Sequence, residues 1–328
     1  MTRLSRFGLG AALAVVLAAG PTARAAEPDK LLPAESEFAL SVNVKQIVGS
    51  DIVKKYALEQ IKQALQGKDA AKFLGDIGLD PLKDIETVVI GGSGKDQSDT
   101  KALVIIHGKF DPEKLFKAAE AHTKKDPDHF TLVKDGKDVM FKFQPDTGNP
   151  VYGTVVNETT LVLGTDKKVV TTALAADAAG KKPTLGKDLS ALIAKQDDKA
   201  SVWVVAVVKD KLNDLKLPMG GGVPQNVKDQ LGKLETFAAV VRVTTDIALD
   251  ITLGMKDTDA AEELGKTIDD GLTQLKGIVP FLAAQNPQAK PLVEVSKTLK
   301  SVVKEKSIVI SAKMKGSAIG DLLKMGGD

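Results

Sequence analysis

Between Phe130 and Leu163 the chain passes through four short segments rich in β-branched and aromatic residues: Phe130 to Lys134, Asp138 to Phe143, Val151 to Val156 and Thr159 to Leu163. Asp135-Gly136 and Asn157-Glu158 mark turns within this run. Connections this tight join antiparallel neighbours only, because parallel strands need a crossover of a dozen or more residues. The rest of the chain must therefore be built around an antiparallel meander.

Upstream, Phe38 to Val44 alternates as a strand, and Ser50 or Asp51 is placed to cap a helix carrying Val53, Tyr56, Ile61 and Leu65. Gly67 is positioned to end that helix. A second short helix spans Ala70 to Ile77, and Asp80-Pro81 opens another turn before a strand from Ile85 to Gly91. Gly91 to Thr100 reads as a polar loop. Lys101 to Gly108 is an apolar strand, and Asp111-Pro112 opens a helix with Leu115, Phe116 and Ala119. A helix from about Asp166 to Ala178 ends this half.

Gly180 to Gly186 reads as a linker, and beyond it the same order recurs. The strand Ser201 to Val208 ends in Lys209 as the first strand ends in Lys45. Glu235-Thr236 opens a strand as Glu86-Thr87 does, at an offset of 149 residues. Ile247 to Gly254 matches Ala102 to Gly108, and Asp257 stands as a cap where Asp111 did, at an offset of 146. This order predicts internal duplication. The second half is more helical: one stripe carries Ala261, Leu264, Ile268, Leu272 and Leu275, a later one Leu292, Val295, Leu299 and Val302. Pro280 should kink or split the segment from Gly277 to Gln285. Ser307 to Lys313 is a last strand and Ala318 to Met325 a terminal helix. The expected fold is α+β, in two related halves, 26–182 and 183–328. Each half is an antiparallel sheet with helices packed on one face.

At the N-terminus, Arg3 and Arg6 precede an apolar run from Phe7 to Ala19, and Ala23-Arg24-Ala25 supplies small residues at the −3 and −1 positions of a cleavage site. This is the pattern of a secretory signal peptide, residues 1–25. The run is shorter than the roughly 20 residues of a membrane-spanning helix, so no stable transmembrane anchor is expected after cleavage. The product is expected in the periplasm, the cell envelope or outside the cell. Cleavage removes three arginines, leaving 42 basic against 43 acidic residues, a net charge of −1. Arg242 is then the last arginine. With no basic field and no arginine fork, nucleic acid is not an expected partner. The chain has no cysteine, so an exported fold must rest on its core. Its 328 residues, 43% hydrophobic and 27% charged, supply one and exclude a disordered chain.

Motifs that carry chemistry are sparse. His122, Asp126, Asp128 and His129 hold potential metal ligands, yet His122 falls near a helix C-terminus and Asp126-Pro127-Asp128 reads as a turn. His107 sits in an apolar strand and is expected to be half-buried and hydrogen-bonded. Gly91-Gly92-Ser93-Gly94-Lys95 lacks the spacing of a phosphate loop and is followed by Asp96. Asp76, Asp80 and Asp84 read as caps and surface charge. There is no Gly-x-Ser-x-Gly elbow. No catalytic residue, cofactor or metal site is assigned. The Leu217 to Pro224 stretch, with three consecutive glycines, offers Leu217, Met219 and Val223 as apolar contacts for a ligand or partner. Trp203 is expected on a strand face or in the core.

The start Leu32-Pro33-Ala34-Glu35-Ser36 ahead of the strand Phe38 to Val44, together with the helix opening Phe110-Asp111-Pro112-Glu113-Lys114, carries a resemblance. It resembles a loosely defined set of exported bacterial α+β proteins that share a domain of unknown function. The resemblance implies export and an α+β duplication, and no activity. The leading functional expectation is a non-enzymatic envelope or secreted binding protein with a macromolecular partner. The alternative is a carrier or sensor of an apolar small molecule, its cavity lined by the stripes from Ala261 to Val302. A hydrolase ranks third.

Overall fold

The computed structural model describes residues 24–94, 99–135, 138–180, 183–209, 211, 225–286 and 289–325. Leu217, Met219, Val223 and residues 1–23, most of the expected signal segment with Ala23, lie outside the described residues. Ala25 lies inside them, bridged to Asp197, with Ala26 N–H donating to the Gln196 carbonyl at 2.9 Å.

In chain order, β1 (Phe38–Asn43) runs straight into α1 (Val44–Gly49), followed by α2 (Asp51–Tyr56), α3 (Leu58–Leu65), α4 (Lys68–Ile77) and α5 (Pro81–Asp84). Next come β2 (Ile85–Ser93), β3 (Lys101–Gly108) and α6 (Pro112–Lys125). The meander is β4 (Phe130–Asp135), β5 (Asp138–Phe143), β6 (Val151–Asn157) and β7 (Thr160–Gly164), with α7 (Lys167–Ala178) and α8 (Lys187–Ala194) behind it. The rest is β8 (Val202–Val207), α9 (Gln225–Leu231), β9 (Leu234–Val243), β10 (Asp246–Met255), α10 (Thr258–Gln285), α11 (Lys290–Thr298), β11 (Lys300–Lys304), β12 (Ser307–Lys315) and α12 (Gly316–Met325).

The fold is α+β, built on one 12-stranded antiparallel sheet in the order β11-β12-β10-β9-β8-β1-β2-β3-β7-β6-β5-β4. Near the middle of that sheet β1 pairs with β8, Phe38 opposite Ala206 and Val42 opposite Val202. Outward from that seam the order is the same on both sides: β1, β2, β3, β7, β6 one way and β8, β9, β10, β12, β11 the other. The hairpin β4–β5 is added to the first side. The ion pair Lys45–Glu86 (2.9 Å) between the end of β1 and β2 has a counterpart in Lys209–Glu235 (3.6 Å).

Strand alternation assigns the two faces. Ala39, Leu103, Ile105, Val162, Trp203, Val205 and Ala238 form one face, covered by Val170 and Ala173 of α7 and Leu189 and Ile193 of α8. Leu189 and Ile193 stand one helical turn apart and are both buried. Each contributes about 1.5–3 kcal/mol. The opposite face carries α6 over the meander. There too, Ala260, Ala261 and Leu264 of α10 pack on Leu253 and Ile308. Helices thus cover the second face as well as the one expected.

Several local expectations are corrected. The helix expected to open at Ser50 or Asp51 does start with Ser50 as its N-cap, but it splits at Ala57 into α2 and α3. Ser50 Oγ donates to the Ile47 carbonyl at 2.7 Å and accepts from Val53 N–H at 3.3 Å, closing α1 and opening α2. Gln46 Nε2 donates to the Val243 carbonyl (2.7 Å) and Ile52 N–H to that of Thr244 (3.2 Å), which holds α1, not expected from the sequence, and the start of α2 against β9 and its turn. Gly67 precedes α4 as its N-cap. Gly91 and Gly92 belong to β2, because a Cβ on Gly92 would lie 2.2 Å from the Lys101 carbonyl across the ladder. The expected linker is followed at once by α8, a helix not expected from the sequence. α10 runs through Pro280 unbroken, at a site where Pro280 is exposed and water can satisfy the carbonyl that loses its donor. Val302 lies in β11, not on a helix.

Candidate functional site

Along the meander, residues of one parity meet in register: Phe130 opposite Phe143, Phe141 opposite Gly153, and Gly153 opposite Leu163. The helix above them starts where the sequence places it. Asp111 Oδ1 accepts from Lys114 N–H at 3.1 Å, and Pro112 occupies the first turn, where no donor is needed. α6 turns Leu115, Phe116, Ala118, Ala119 and His122 toward the strands without closing on them. A cavity of about 340 Å³ remains. Its strand side is Phe130, Phe141, Phe143, Val151, Val155, Leu161 and Leu163, and Ile77 of α4 closes one side.

The wall is almost wholly hydrocarbon and aromatic. Phe130 and Phe141 stack with ring centroids 5.7 Å apart at 13°, and His122 leans on Phe130 at 5.9 Å. Gly153 is what allows the Phe141 ring to lie flat there, since an added Cβ would fall 2.3 Å from its Cζ. Phe143 is 43% exposed.

His122 and Ala118 also line a second, open groove between α4 and α6, together with Lys72, Lys114, Lys117, Lys125 and Asp76. Lys114 pairs with Asp111 at 3.5 Å and Lys117 with Glu113 at 3.6 Å. The groove remains a cationic surface sharing two residues with an apolar chamber.

A polar clasp lies beside the cavity. His129 Nδ1 meets Asp126 Oδ1 and its Nε2 meets Asp146 Oδ1, both at 2.9 Å. The two carboxylates hold the imidazole proton, raising the pKa of His129, with Asp126 the larger cause. Asp126 is lowered in return. Gln144 N–H donates to the His129 carbonyl at 2.8 Å. The clasp ties the β5–β6 loop, which leaves from Phe143 and returns at Val151, to the turn between α6 and β4.

Of the sequence candidates, His129 pairs with Asp126, while His122 lines the cavity and acts on Asp126 only through its charge. Among the described residues, no group of three or more acidic or histidine side chains is arranged to hold a metal ion. His107 is half-buried, with Nε2 2.5 Å from Asp29 Oδ2. Trp203 is in the core. The stripes proposed to line a cavity do not do so: Ala261 and Leu264 are packed on the sheet, and Leu275, Leu292 and Val302 face solvent. The cavity is in the first half. Its signal was the same-parity set Phe130, Phe141 and Phe143 beside a helix whose inner face includes small Ala118 and Ala119.

No protein-family model matches the chain, and no curated protein matches it. Among solved structures it is similar to crystal form I of TP0453, at 7% identity and a TM-score of 0.45, over 92% of this chain and 98% of that one. A likeness of that degree carries no inference about function.

Proposed function

We propose that this is an exported, non-enzymatic binding protein whose first half holds a single-chain amphiphile, with its apolar tail under α6 and its acidic head toward the lysines between α4 and α6. The observation that carries the reading is the apolar cavity bounded by α6 and β4–β7. Its volume of about 340 Å³ lies within the range of small-molecule sites. It is roughly twice the size of a cavity that admits benzene, enough for about a dozen carbons. An apolar chamber of this kind stays dry and gains by accepting hydrocarbon. Ala118 and His122 border both the chamber and the cationic groove, so a carboxylate or phosphate leaving the chamber there meets Lys72 and Lys125. The signal-peptide pattern of residues 1–25 supports export, and the matching strand order on both sides of the β1–β8 seam supports internal duplication.

Native mass spectrometry of the protein incubated with decanoic acid tests this reading. One adduct per chain is expected, weaker with decanol and absent in Ala119→Phe, which fills the chamber from α6. An Ala119→Phe protein that folds and still takes up decanoic acid, or a wild-type protein without an adduct, overturns it.

A further inference from the structure

α10 leaves the sheet part-way along its length. One face of its first two turns is buried, through Ala260, Ala261, Leu264 and Gly265, but of residues 269–286 only Leu272, Val279 and Ala283 are not exposed. Val279 and Ala283 are buried on the side where α10 and α11 pack as a hairpin, whose second arm buries Pro291 and Ser296. The outer side of that hairpin is apolar. Leu275, Ile278 and Leu282 stand at i, i+3 and i+7 on one helical face with Phe281 beside them, at 45%, 55%, 49% and 64% exposure. Leu292 on α11 is 48% exposed. Residues 277–286 contain no charged side chain. Isolated exposed apolar residues need no explanation, whereas a run of them on one projecting element marks a contact surface.

The charges flanking this run favour one kind of occupant. From Gly271 to Val293 the chain carries Lys276 and Lys290 and no acidic residue, a net +2 around the apolar run. Glu294 is engaged by Lys297 at 2.6 Å. No helix among the described residues is long and apolar enough to cross a membrane, so this hairpin suits a surface rather than a span.

We infer that the outer face of the α10–α11 hairpin docks on an anionic lipid surface, with Ile278, Phe281 and Leu282 entering the acyl boundary and the flanking lysines meeting the headgroups. This inference does not depend on the cavity. Cosedimentation of the full chain with phosphatidylcholine vesicles, with and without phosphatidylglycerol, tests it. Binding is expected to the anionic vesicles, to weaken with salt, and to fall at least about tenfold in Ile278→Asp/Phe281→Asp, since these two side chains are large and apolar. Both positions are exposed, so the double variant should keep its thermal midpoint, and Gln63→Asp on exposed α3 should bind as wild type. Equal sedimentation of the double variant refutes the assignment, as does absence of binding to anionic vesicles. A concentration-dependent dimer that the double substitution abolishes, without vesicle binding, also refutes it and makes a second copy the occupant.

Discussion

Gly153→Ala measures how firmly the cavity wall is built. An alanine Cβ there would stand 2.3 Å and 2.5 Å from Cζ and Cε2 of Phe141 and 2.6 Å from Cδ2 of Leu163. To reach an ordinary contact near 3.4 Å, the ring must retreat by about 1 Å. Its stacking on Phe130 limits sideways movement, so the retreat is into the chamber. Overpacking of this kind costs about 1–3 kcal/mol. Alanine in a strand recovers about 0.5–1 kcal/mol relative to glycine through backbone entropy. The open space beyond the ring favours the lower end of the cost, and the net destabilisation should be about 0.5–2 kcal/mol. Denaturant titration reads this as a lower midpoint at unchanged slope, with weaker uptake of decanoic acid. A variant more stable than wild type by the ordinary glycine-to-alanine gain would mean that the ring does not lie over Gly153, and the wall described above would be wrong.

Three further outcomes follow from the same geometry. Asp111→Ala and Asp257→Ala should each cost about 0.5–2 kcal/mol, because each carboxylate caps the helix after the third strand of its half; unchanged denaturation midpoints in both would count against caps at these positions. Ser201→Ala should cost about 1–3 kcal/mol by stranding the Val243 N–H that now donates to the buried hydroxyl at 2.7 Å, read by the same titration. His129 should titrate above its ordinary 6.5 by NMR. With the folded pKa raised, its stabilisation is full below the unfolded value and is lost as pH rises through the folded one. His129→Gln should flatten that dependence, and an unshifted titration would show that the clasp is open in solution.

Local chemistry was legible in the sequence wherever the constraint was local. The meander strands, the Asp111-Pro112 and Asp257 helix starts and the half-buried His107 follow from spacing and caps. What failed depended on distant partners. Nothing near Phe38 or Val202 says that these strands pair, because the register is set between residues more than 150 apart. α1, directly after β1, was not legible, and its Gln46 is held by the Val243 carbonyl of β9. Phe130, Phe141 and Phe143 alternate as core residues do, and whether a helix closes on them or leaves a chamber depends on its distance from the sheet. The Val302-Val303 pair before the Glu305-Lys306 turn was a legible hairpin signal, with Glu305 at φ 50°, masked by helical spacing from Leu292.

A methyl-labelled NMR titration with decanoic acid tests the cavity reading most directly. Saturable shifts are expected at Leu115, Val151, Val155, Leu161 and Leu163, and none at Leu253, Leu264 or Ile308 on the same face of the sheet beyond β8. Shifts confined to the second half, or none anywhere while the fold is intact, would contradict it.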